Sequence, residues 1–220
     1  KIGALDWAAE EPIYQQIIAK YDEMAGEADP AKKEAISKEI NELTVEAGKL
    51  SMPTEFSNLM ESIGGKNVNA GTSFDLTYYH NSFPAYQINK WLEISSQRFM
   101  HPVFRSFQSE LENVYEEYNM YQDNPSSVKS NFIRSKAFEG HPYSRDIIGL
   151  PEHLKNPRLS KLIEFYDNWY TPENMVLILV GNVNAQQISG RINAAFGRLP
   201  KKATPARKTY PDLDIKGRTQ

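Results

Sequence analysis

"NVNAGTSFDLTYYHNSF", residues 67–83, is where the periodicity of this chain changes. Phe74, Leu76 and Tyr78 alternate with Ser73, Asp75 and Thr77, which predicts a half-buried strand of antiparallel type, closed by Pro84. From Ala85 to Phe99 the period becomes helical, with Ile88, Trp91, Leu92, Ile94, Ser95 and Phe99 along one side. Strand signals are few and set among helices, without alternating βαβ units. That places the chain in the α+β class, with helices packed on an antiparallel sheet.

Upstream, the first fifty residues read as a helical hairpin. Asp6 is a suitable N-cap, and Ile13, Ile17, Tyr21 and Met24 recur at helical spacing. "GEADP" (26–30) breaks the pattern, and Pro30 can occupy the first turn of a second helix. Ile36, Ile40, Leu43, Ala47 and Leu50 then form a narrow apolar seam. The remaining surface is rich in Lys and Glu. Residues 1–51 are therefore expected to be an inserted helical hairpin, with a second unit over 52–220. A short helix from Thr54 to Ile63 should stop at Gly64-Gly65, where glycine can take the left-handed conformation.

Downstream, a glutamate-rich helix comes after the turn "HPVF" (101–104), and another helix runs through Phe132 to Phe138. "EGHPYSRDIIGLPEHL" (139–154) reads as loop. A helix over 158–170 leads to "MVLILVGNV" (175–183), long enough only for a buried central strand, and one more helix spans 185–196.

The composition is that of an ordinary globular chain. It has 220 residues, 40% hydrophobic, with ten Phe, twelve Tyr and three Trp to build a core. A net charge of −3 without a basic patch argues against nucleic-acid binding. No apolar run approaches a membrane span. The absence of cysteine excludes disulfides and thiolate metal sites. The chain starts at Lys1 and stops after "PARKTYPDLDIKGRTQ" without a cap, which reads as an excerpt of something longer.

Chemistry has few places to reside. His80, His101, His141 and His153 form no H-x-x-x-H or H-x-x-E-H pair. "GLPEH" (149–153) imitates the latter, but Gly149 stands at the first histidine position and Pro151 is expected to disrupt a helix. Neither a G-x-S-x-G elbow nor a Walker loop occurs. "SELENVYEEYNMY" (109–121) remains, with Glu110, Glu112, Glu116 and Glu117. Leu111, Val114, Tyr115 and Tyr118 mark its buried stripe. Glu110 and Glu117 border that stripe, whereas Glu112 and Glu116 point more outward. A carboxylate on an apolar border needs a cation, a donor or a metal. Composition alone also permits a plain acidic surface helix.

Several segments together resemble the insulinase (pitrilysin, mitochondrial processing peptidase) family of zinc metallopeptidases. They are "NAGTSFDLTYYH", "ELENVYEEYNMY", "HPYSRDIIG", "FYDNWYTPENMVLILVGNV" and "FGRLP", in that order, over about 62–200. "KIGALDW" is also similar to the segment after the catalytic helix in some bacterial members. The resemblance implies a domain of that peptidase type, with the E-x6-E spacing placing a third zinc ligand at Glu117 and its supporter at Glu110. It implies an edge strand over Asn69, Ala70, Gly71 and Thr72 that pairs with an extended peptide. It also implies a second homologous domain or subunit as partner, and a periplasmic or secreted setting.

One departure limits these expectations. The family's H-x-x-E-H helix, which supplies two zinc ligands and the general-base glutamate, is absent from this sequence. The resemblance would put it before residue 1. Zinc hydrolysis needs several protein ligands and a base, so this chain alone is expected to be inactive, with its zinc position empty. The alternative is a non-catalytic relative that holds a peptide or a partner subunit.

Overall fold

The computed structural model describes residues 1–210; the final ten residues of the expected second unit, 211–220, lie outside the described residues. The helical hairpin forms as the apolar seams require, from α1 (Trp7–Gly26) and α2 (Pro30–Gly48). Asp6 caps α1 by accepting from the Ala9 N–H at 3.1 Å. Asp29 does the same for α2, accepting from Ala31 at 2.9 Å with Pro30 in the first turn. A short α3 (Glu55–Ser62) ends where Gly64 takes φ +76°. Gly64 donates to the Glu61 carbonyl and Gly65 to the Met60 carbonyl, both at 2.8 Å. These two bonds satisfy two of the last free carbonyls of the helix.

The sheet among the described residues is a two-stranded antiparallel hairpin, β1 (Lys66–Thr72) and β2 (Thr77–Ser82). Asn69, Ala70, Gly71 and Thr72 lie opposite His80, Tyr79, Tyr78 and Thr77. This corrects the expected strand. Residues 73–76 make the turn, closed by the Ser73 N–H donating to Leu76 at 2.8 Å. Phe74, Leu76 and Tyr78 are exposed rather than half-buried, because among the described residues the sheet has these two strands alone and no second sheet to cover it.

The chain continues through α4 (Ile88–Met100), α5 (Phe107–Gln122), α6 (Pro125–Ala137), a five-residue α7 (Pro151–Lys155), α8 (Leu159–Trp169) and α9 (Ala185–Phe196). The loop expected over 139–154 thus contains helix at its end. Pro151 begins α7 instead of disrupting it, since a proline at the first helical position forfeits no hydrogen bond.

Two apolar cores result. Tyr14, Ile17 and Tyr21 of α1, Ile36, Ile40 and Ala47 of α2, and Leu159 of α8 form the first. Packing therefore crosses residue 51: the hairpin's inner face is shared with α8 and with Phe104 and Phe107 at the entry to α5. Met60, Ile63, Ile88, Trp91, Leu92, Ile188 and Ala195 form the second, joining α3, α4 and α9. Between them, the Tyr166 hydroxyl of α8 donates to the Phe99 carbonyl at 2.8 Å.

The expected central strand over 175–183 is corrected by its surroundings. The segment pairs with no strand among the described residues. Leu179 and Val183 pack on the second core, but Val176 is 85% and Val180 94% exposed. A β-branched run supplies the propensity for a strand, and hydrogen-bonding neighbours must supply the rest.

One buried ion pair joins the hairpin to the start of α5. Glu10 is fully buried, and both its carboxylate oxygens accept from Arg105, from Nε and from Nη2, the latter at 2.9 Å. Arg105 Nη1 also donates to the Ile2 carbonyl at 3.1 Å. Removing one partner strands a buried charge, so Arg105→Met should lower unfolding stability by about 3–5 kcal/mol, and the double variant Glu10→Met/Arg105→Met should recover most of it. Denaturant unfolding of the three proteins checks this. Nearby, burial pushes the Tyr21 phenol up from 10.0 to about 12, with the Glu112 charge adding to it. A pKa raised on folding contributes stability below the unfolded value that fades as pH climbs through the folded one. The unfolding midpoint should therefore fall between pH 10 and 12, and fall less in Tyr21→Phe.

Candidate functional site

Helix α5 starts where Arg105 is clamped and where Phe107 meets Tyr21 edge-on, ring centroids 5.0 Å apart. The Tyr21 hydroxyl donates to Gln108 at 3.0 Å, and the Gln108 amide donates to Glu112 at 2.7 Å. The first turn of α5 is thus held against α1. The rest of the helix packs on α6 and α7. Its apolar stripe, Leu111, Val114, Tyr115 and Tyr118, is half-buried, not fully buried as expected.

The four glutamates are all exposed. At about 100° per residue, Glu110 and Glu117 share one flank of the stripe and Glu112 and Glu116 the opposite flank. Glu112 and Glu116 line a cleft between α5 and the hairpin, with Met24, Tyr115 and Lys155. They are solvent-exposed, as expected, but face this cleft. Glu117 Oε1 accepts from the Tyr121 hydroxyl one turn later at 2.9 Å, which raises the Tyr121 pKa. The i, i+4 spacing of this pair is the signal in the sequence that could have found Tyr121, which residue-by-residue reading overlooks.

A metal would meet an incomplete set of donors. Among the described residues, no three His, Asp or Glu side chains converge to hold an ion. His80 lies on β2 opposite Asn69, and His101 comes directly after α4. His153 is on α7, and His141 accepts from the Tyr143 N–H at 3.2 Å. The carboxylates of α5 therefore do not by themselves complete a metal site among the described residues.

The other expected site residues lie on β1. Asn69, Ala70 and Thr72 are exposed and Gly71 partly covered. A Cβ at Gly71 would sit 2.5 Å from the ring of Tyr78, its partner across the hairpin, so glycine lets that ring lie over the strand. On β2, the Tyr79 hydroxyl shares a hydrogen bond with Tyr170 at 2.8 Å, and its ring meets Phe99 edge-on. Asn81 accepts from the Trp91 indole at 2.7 Å. The hairpin is thereby anchored to α4 and to the end of α8.

Comparison with known proteins places this arrangement. A family model described as "Insulinase (Peptidase family M16)" matches residues 31–150, and one described as "Peptidase M16 inactive domain" matches 158–220. The first match begins inside α2. Zinc protease PqqE of Helicobacter pylori is 28% identical over 180 residues, covering 79% of this chain and 40% of its own length. Uncharacterized zinc protease YmxG of Bacillus subtilis is 28% identical over 132 residues, covering 59% of this chain and 32% of its own. The crystal structure of the periplasmic protease PqqL from Escherichia coli superposes with a TM-score of 0.63 at 24% identity, over 71% of this chain and 18% of that one. The first half of PqqL, crystallised separately, gives 0.62. The chain thus spans well under half the length of these relatives. With helices around an antiparallel hairpin in the α+β arrangement of these peptidases, and with more than half its residues matched by the family model, the chain belongs to the insulinase family, peptidase family M16.

Proposed function

We propose that this chain is part of a zinc-dependent endopeptidase and contributes one metal ligand and one peptide-binding edge. Glu117 is the ligand, Glu110 its supporter two turns earlier, and Asn69, Ala70, Gly71 and Thr72 form the edge on which an extended peptide or unfolded polypeptide adds as a strand. The observation that carries the reading is the E-x6-E pair on one flank of α5, in a chain of this family whose relatives PqqE and YmxG are named zinc proteases.

When bound, zinc supplies a polarised water of lowered pKa and a Lewis acid for the scissile carbonyl. This chain's own residues hold and orient. Tyr121 fixes one oxygen of Glu117, leaving the other free to face an ion. Backbone N–H and C=O groups of β1 not used by β2 are offered to a peptide, the Ala70 N–H by exchanging the Asn69 side-chain oxygen to which it donates at 2.8 Å, and such pairing tolerates varied side chains. The remaining ligands and the general base must come from an H-x-x-E-H segment elsewhere in the intact protein, because the 220 residues contain none. The isolated chain is accordingly inactive in this reading. The two-part organisation of PqqL supports a second homologous domain as partner, and its periplasmic setting supports the same or a secreted location here.

In the intact protein, Glu117→Gln should weaken zinc retention at least about ten-fold, the loss caused by removing even a supporting partner of a ligand. Glu112→Gln, on the opposite flank, should retain zinc as the wild type does. Metal content after dialysis against a graded chelator measures both. Equal zinc in the two variants would remove Glu117 from the site and leave the non-catalytic, peptide- or subunit-binding reading in its place.

A further inference from the structure

A lone two-stranded hairpin is marginal in water, and all of β1 and β2 except Gly71 and Asn81 is exposed. Its base is held by Trp91, Phe99 and Tyr170. Its tip is held by something else. The Asp75 carboxylate accepts from the Tyr143 hydroxyl, and the Phe74 ring lies 4.8 Å from the Tyr143 ring. The Arg134 guanidinium sits 5.4 Å from the centre of the same Phe74 ring.

Both gripping residues are themselves fixed. Arg134, on α6, donates to Asn131 at 2.6 Å and pairs with Asp146 at 3.2 Å, while the Asn131 amide also donates to Asp146. Tyr143 lies in a single 3-10 turn, Pro142–Ser144. Its N–H is taken by His141 Nδ1, and its ring abuts His141 at 4.6 Å and Phe138 at 5.6 Å. Helix α6, the 141–146 loop and the hairpin turn thus make one bracket. Helix α6 in turn packs against α5, which carries Glu110 and Glu117.

We propose that Tyr143 and Arg134 are positioning residues for the peptide-binding edge, holding the β1–β2 turn so that residues 69–72 stay extended and in fixed relation to α5. This rests on the reading of β1 as that edge. The physical ground is that strand addition is strong only onto a preorganised strand, because an edge that must first be ordered spends binding energy on ordering. The aromatic and charged contacts at the tip lie outside both cores, so their role is local.

The test uses the intact, zinc-stripped protein and fluorescein-labelled β-casein, an unfolded polypeptide, with binding read by anisotropy. Loss of one hydrogen bond at the tip should weaken binding by up to about ten-fold in Tyr143→Phe. Amide exchange over residues 69–72 and 77–80 should quicken in parallel, with melting temperature and zinc uptake unchanged. Asp75→Asn, which keeps an oxygen for the phenol, should leave both readouts at the wild-type level, whereas Asp75→Ala should change them as Tyr143→Phe does. Ala70→Pro and Gly71→Pro test the edge itself, since one of two successive residues must turn its N–H to the free side. If neither proline weakens binding, the edge reading fails and the inference with it. If a proline weakens binding while Tyr143→Phe binds and exchanges as the wild type does, the edge stands and the bracket is refuted.

Discussion

The contact on which the site-bearing half depends is the pair between Glu10 and Arg105. A carboxylate with no solvent exposure is tolerable only where a cation meets it in good geometry, and Arg105 meets both its oxygens. That requirement ties the first turn of α1 to the residues just before α5. The Arg105 bond to the Ile2 carbonyl extends the tie to the segment entering α1. Tyr21, Gln108 and Phe107 continue it by one more turn. The hairpin is therefore the wall against which the glutamate helix is set.

From that fixed start, α5 runs outward with decreasing cover. Its stripe is half-buried, and its two glutamate pairs fall on opposite flanks. The flank toward the hairpin is occupied by Glu112, bonded to Gln108, and by Glu116 in the same cleft. The other flank leaves Glu110 and Glu117 with Tyr121 as the one side-chain donor among the described residues. The helix thus sets two of its exposed carboxylates toward the cleft with the hairpin and two away from it. In the β-hairpin the base is tied to α4 and to the end of α8 by aromatic contacts, and among the described residues β1 pairs with β2 alone.

Much of this was legible in the residues. Asp6 as a cap, the seam of Ile36, Ile40 and Ala47, the stop at Gly64, and the helices around Ile88–Trp91 and over 185–196 all derive from spacing and local chemistry. The segments that carried the family resemblance identified the family that the comparisons then showed. The misses share one cause. Phe74, Leu76 and Tyr78 alternate like a half-buried strand, and "MVLILV" is composed like a central one, yet both lie exposed. Alternation and β-propensity state what a segment will accept as a neighbour, and neither states that the neighbour is there. Pro151 departs from expectation for a different reason: its effect depends on whether it falls inside a helix or at its first residue.

By itself the sequence determined the longer helices, the Asp6 cap, the glycine stop after α3 and the α+β class. These depend on contacts within a few residues, which spacing records. Only the tertiary structure decided that the hairpin shares its core with α8, that Glu10 and Arg105 pair across 95 positions, and that Tyr143 grips the strand turn through Asp75. Such contacts join residues whose separation along the chain carries no information about their separation in space. For the shared core and the Glu10–Arg105 pair the energies come from burial and desolvation, which exist only once the layers have met.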